Sequence, residues 1–163
     1  MQFLAILILS TTLAWLLGRR RSGWRDHARR GLAFAMVVAG LSHFARPEPF
    51  VQHLPDWVPA TEALVYITGA IEVALGVALL RSREHRVTVS RLLAAYLVAV
   101  LPANIYVAVE DVDVTGQTGG VHAWIRLPLQ GLFIAWALVC TTPNRADQTH
   151  LSPKPSTESA LAA

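Results

Sequence analysis

Five apolar runs, separated by short polar segments, set the pattern of this chain. They are Phe3–Leu17, Gly31–Ala45, Thr61–Leu80, Leu92–Val109 and Val121–Cys140. The longer ones suit one helical crossing of a hydrocarbon layer, which takes about 20 residues. A soluble bundle would carry polar stripes at helical period, and these runs lack them. The pattern predicts an all-α fold, a polytopic membrane helical bundle. Phe3–Leu17 has no Lys or Arg before it and no small-residue cleavage site after it. It reads as an uncleaved anchor rather than a signal peptide.

The connecting segments differ in kind. Arg19–Arg30 is arginine-rich and reads as a basic connector. Arg46–Ala60 carries Pro47, Pro49, Pro55 and Pro59, and each proline lacks an amide donor, so no continuous helix is expected there. Phe50 and Trp57 suit an interfacial segment. Pro102 sits inside the fourth run and should free the carbonyl of Val98 and kink the helix. Glu110–Gly120 is acidic and then rich in Gly and Thr, a loop. The tail is polar and proline-bearing, and reads as disordered. The expected division is an anchor and connector over 1–30, a four-helix membrane domain over 31–142 and a tail over 143–163.

Composition sharpens this picture. Of 163 residues, 15% are charged and 53% hydrophobic, whereas soluble domains carry about 25% charged residues. Lys and Arg concentrate in Arg19–Arg30, Arg81–Arg91 and the tail. The Arg46–Ala60 loop holds only Arg46, and Glu110–Gly120 holds neither type. The positive-inside rule then predicts an N-terminus outside and a C-terminus in the cytoplasm of a bacterial inner membrane. The basic blocks are a topology signal that also favours anionic lipid, not a nucleic-acid patch. Cys140 is the only cysteine, which excludes an intramolecular disulfide or a CxxC pair.

The candidate chemistry lies where polar residues interrupt apolar runs. Glu72 is the sole ionisable residue in the middle of Thr61–Leu80, and a carboxylate at that depth costs about 2.5–3.5 kcal/mol unless it finds a partner. Gly69 and Gly76 lie near it and favour close helix approach; Gly131 is a third such glycine. Arg126 and Gln130 are four apart on one helix face. With Asn104 and His43 they fall in the outward half of the bundle. The cost of each against lipid argues that His43, Glu72, Asn104, Arg126 and Gln130 line one outward-facing pocket. Glu72 paired with Arg126 is the structural alternative. Tyr66, Tyr96 and Tyr106 read as interface or packing aromatics. No histidine spacing supports a metal site, and no nucleotide loop or nucleophile elbow is present.

These motifs carry a resemblance. Gly40-Leu41-Ser42-His43-Phe44 with Arg46-Pro47, Gly69-x-x-Glu72-x-x-x-Gly76, Leu101-Pro102-Ala103-Asn104-Ile105-Tyr106 and Arg126-Leu127-Pro128-Leu129-Gln130-Gly131 occur together in this order. From about Gly31 to Thr141 the chain resembles the DoxX-like family of small four-helix membrane proteins. The resemblance implies a membrane bundle and a redox association. The functional expectation is a redox-associated small subunit. Its pocket would take a quinone-like or protonatable molecule, and a membrane or periplasmic protein would be its electron partner. The chain departs from any thiol-based version by lacking a cysteine pair. A noncatalytic scaffold and a small-solute or proton carrier are the alternatives.

Overall fold

A computed structural model describes residues 7–9, 11–12, 23–81, 84–115 and 120–141. Most of the expected first crossing and all of the 143–163 tail lie outside the described residues. Every regular element described is a helix: α1 Trp24–Ala45, α2 Glu48–Val51, α3 Thr61–Arg81, α4 Arg86–Ala99, α5 Leu101–Val109 and α6 Val121–Thr141. Three stretches are long and apolar enough to cross a membrane: Thr61–Arg81, Arg86–Val109 and Val121–Cys140.

Helix α1 starts before its apolar run and continues through residues 30 and 31. Asp26 explains the extension. Its two carboxylate oxygens pair with Arg29 at 2.5 Å and Arg30 at 2.7 Å, one turn on, the spacing that supports a helix. Arg29 is buried, and its second guanidinium nitrogen donates to the Leu79 carbonyl at the end of α3. The interruption between α4 and α5 falls at Val100, and Pro102 sits in the first turn of α5. A proline there gives up an amide that has no helical partner anyway.

The helices alternate in direction. Gly40 of α1 lies against Gly69 and Val73 of α3, whereas Ala33 and Val37 lie against Gly76. Ser90 of α4 donates to the Ala137 carbonyl of α6 at 2.5 Å, and Gln130 reaches back to Leu97. Helix α1 packs on α3 and α6, and α4 packs on the same two. The described helices thus form an up-and-down ring. Arg25, Arg29, Arg30, Arg81, Arg86 and Arg91 mark one end. A cap of two connecting segments, 46–60 and 110–115, closes the other.

Leu32, Met36, Leu79, Leu93 and Ala137 form an apolar core toward the arginine end. Val107, Ala108, Val114 and Ala123 form a smaller one under the cap. Phe34, Leu41, Ile67, Leu92, Ile105 and Leu132 remain on the outer surface. The outside of the ring thus carries many large apolar side chains.

The cap is tied down by side chains. Gln52 Nε2 donates to Thr115 Oγ1 at 3.0 Å, and its Oε1 accepts from the Thr115 amide at 2.7 Å. Helix α5 ends with Asp111 at φ 48° and the Val112 amide on the Val107 carbonyl at 3.2 Å. This is a left-handed helix stop that satisfies a terminal carbonyl. Asp111 also accepts from the Gly120 amide at 2.9 Å.

Candidate functional site

Hydrogen bonds sort the five expected pocket residues into three groups. The first is built on Glu72. The Tyr96 hydroxyl donates to Glu72 Oε1 at 2.8 Å. His43 Nδ1 lies 3.6 Å from Glu72 Oε2 and 3.1 Å from the Ala39 carbonyl. The shorter contact places the Nδ1 proton on Ala39, and Oε2 is left buried with no hydrogen-bond donor. Both side chains are nearly closed off, His43 at 8% and Glu72 at 13% exposure. The close approach of α1 and α3 at Gly40 and Gly69 positions them, because a Cβ at Gly69 would lie 2.6 Å from His43 Cβ. The Phe50 ring of α2 stacks on the imidazole with centroids 3.6 Å apart.

The second group holds the α4–α5 junction to α6. Asn104 donates to Gln130 Oε1, and Gln130 Nε2 donates to the Leu97 carbonyl at 2.6 Å. Leu97 lies just before the interruption that Pro102 sets. Gln130 is buried, and both halves of its amide are used. This pair fastens helices together rather than presenting free groups to a ligand.

Arg126 forms the third group. It does not pair with Glu72. Its Nη1 donates to His53 Nε2 at 2.9 Å, across from α6 to the segment after α2. Arginine can only donate, so Nε2 accepts and the ring proton sits on Nδ1, which reaches the Pro49 carbonyl at 2.5 Å. Neither described cavity is lined by any of the five residues. The single pocket expected from the cost of burial is therefore divided. Except for Glu72 Oε2, these polar groups find partners within one helix turn, one helix pair or the neighbouring cap segment.

Sequence reasoning missed Tyr96 and His53. Tyr96 lies in the middle of its apolar run, as Glu72 does in the neighbouring one. A phenol at that depth is a signal for a donor to a buried carboxylate. His53 lies in a proline-rich segment with no periodic register, and nothing in the sequence points it at Arg126. No group of three His, Cys, Asp or Glu side chains converges as a metal site among the described residues.

His53 makes the cap pH-sensitive. Burial holds its pKa below the ordinary 6.5. The Pro49 carbonyl opposes this, and the charges of Arg126 and His43 add to the lowering. Neutral His53 therefore stabilises the cap fully above pH 6.5, and that stability is lost as pH falls through the lower folded-state value. Amide protection factors over residues 48–54, which correct for the fall of intrinsic exchange with acidity, should drop as pH falls below about 6.5, the ordinary histidine value. In His53→Gln, which keeps an acceptor without titrating, that drop should disappear. A drop unchanged by His53→Gln would assign it elsewhere.

The arrangement defines an all-helical ring with membrane-length apolar helices and a buried carboxylate–phenol–imidazole cluster under a latched cap. The family model described as a domain of unknown function, DUF8561, matches residues 32–141, and the chain belongs to that family. No curated protein and no solved structure matches it.

Proposed function

We propose that this chain is a multi-pass protein of the bacterial cytoplasmic membrane in which Glu72 exchanges a proton with a small molecule admitted from the capped side. The three long apolar helices and the apolar outer surface support the membrane setting. Helix α1 supplies a further crossing, its hydropathy diluted by the arginines of its first turns. The arginine end then faces the cytoplasm and the cap faces outward. The observation that carries the functional reading is Glu72 Oε2. It is a buried acceptor with no donor, whereas Oε1 is bound by Tyr96. Buried polar atoms are nearly always partnered, and an intramembrane ionisable residue is a functional site by default. The missing partner is an O–H or N–H donor. A quinol hydroxyl is one, and in that form the chain is a small redox-associated subunit in which Glu72 takes the quinol's proton while the quinol's electrons go directly to a redox partner protein.

Infrared difference spectra test this. Adding a soluble quinol analogue to the detergent-solubilised protein should produce a carboxyl C=O band that Glu72→Gln removes. A band that survives Glu72→Gln would move the site away from Glu72. No ligand-induced band would favour the scaffold reading, which the Asn104–Gln130 pair, fastened to the Leu97 carbonyl, supports.

A further inference from the structure

The cap also borders a half-open cleft of about 460 Å³ lined by Gln52, Leu54, Asp56, Thr61, Tyr106 and Val112 among others. It shares no residue with the Glu72 cluster, and its volume falls within the about 300–1,000 Å³ of small-molecule sites. Gln52 is committed to Thr115. Asp56, Thr61 and Tyr106 are not. Their side chains make no hydrogen bond or ion pair among the described residues. An exposed carboxylate and the half-buried hydroxyl and phenol of Thr61 and Tyr106 thus line one space without using their polar capacity on the protein. Leu54, Val58 and Val112 supply apolar wall.

The charge of the surrounding cap segments is mostly negative. The two cap segments and the first turn of α3 carry Glu48, Asp56, Glu62, Glu110, Asp111 and Asp113, and Arg46 is their one arginine. A cleft lined by one sign of charge concentrates ligands of the other sign. This surface repels anions, and the apolar wall does not suit a bare inorganic cation, which needs several oxygen ligands. A carboxylate beside an aromatic face and apolar side chains is the chemistry that takes an organic ammonium ion.

We propose that the cap cleft is a binding site for a small organic amine in its protonated form. Asp56 pairs with the ammonium, and the Tyr106 ring lies against the cation or the carbon beside it. Thr61 takes a remaining N–H, and Leu54, Val58 and Val112 hold the apolar body. The site stands on residues other than those of the Glu72 cluster and survives the failure of the proton-exchange reading.

The test uses the full-length chain in mild detergent, with phenethylammonium as the probe and 2-phenylethanol as its uncharged counterpart. Isothermal titration should show saturable binding of the amine. Binding of the alcohol should be weaker by about tenfold or more, as loss of a charge-assisted contact implies. Asp56→Asn should weaken the amine by about tenfold, and Tyr106→Leu by several-fold, with Tyr106→Phe retaining most of the affinity because the ring remains. Glu48→Gln removes an acidic group that does not line the cleft, and Glu72→Gln changes the other cluster, so both should bind as the parent does. Equal affinity for amine and alcohol would overturn the proposal. So would a loss in Glu48→Gln as large as in Asp56→Asn, which would mark a diffuse surface field rather than a site. Circular dichroism of each variant, matching the parent, shows that a loss of binding is not a loss of fold.

Discussion

Gly40→Ala should lower the stability of the protein in mild detergent by about 1–3 kcal/mol, the range for overpacking a close contact, and Gly40→Val should lower it further. A Cβ at this position would lie 2.6 Å from the Gly69 carbonyl oxygen and 2.8 Å from the Val73 amide nitrogen. Two of the three nearest atoms are backbone, so no side chain can rotate away to make room. Helices α1 and α3 would have to separate, and with them His43 and Glu72, which the same approach holds in place. Gly131→Ala is the matched comparison. A Cβ there meets nothing within 4 Å, and removing a mid-helix glycine gains about 1 kcal/mol of helix propensity. Thermal unfolding followed by circular dichroism should place Gly40→Ala well below the parent and Gly131→Ala at or above it. If the two variants melt together, the glycine-mediated approach of α1 to α3 is wrong.

Tyr96→Phe should cost about 1–3 kcal/mol, the penalty for leaving a buried polar atom without its partner, because Glu72 would then have no donor on either oxygen. Glu72→Leu should cost a similar amount, since the Tyr96 hydroxyl keeps only the Thr68 carbonyl at 3.5 Å. The double variant should cost clearly less than the two singles combined. Coupling energies of contacting residues run about 0.5–3 kcal/mol, and hydrogen bonds between membrane helices fall at the lower end, about 0.6 kcal/mol on average. Glu72→Gln combined with Arg126→Gln should instead be additive, because Arg126 spends its charge on His53. Equilibrium unfolding of the four singles and two doubles measures both couplings. A strong Glu72–Arg126 coupling with none between Glu72 and Tyr96 would invert the assignment of partners.

The positions of the long apolar helices Thr61–Arg81, Arg86–Val109 and Val121–Cys140 were legible from hydropathy because apolar runs of this length have few ways to satisfy their backbone other than as helices. The interruption near Pro102 was legible for a similar reason, since a proline disfavours helical continuation from the residue before it and is at home in the first turn of the next helix. Gly69 was readable as a close-approach position, but its partner was not. Gly40 and Gly131 look alike in sequence, and only the packing separates a glycine under another backbone from one on an open surface.

The same divide runs through the site. Sequence by itself determined which polar residues interrupt or end the apolar runs: His43, Glu72, Asn104, Arg126 and Gln130. Their places along each run follow from a helix of fixed rise. The cost of burial says that each residue must find a partner, and it says nothing of which one. Tertiary structure decided that. The rotation of each helix about its axis and the path of the proline-rich cap set the contacts between segments. Those two variables placed Tyr96 on Glu72, Gln130 on Asn104 and the Leu97 carbonyl, and His53 on Arg126. They divided one expected pocket into three local solutions and left Glu72 Oε2 without a donor.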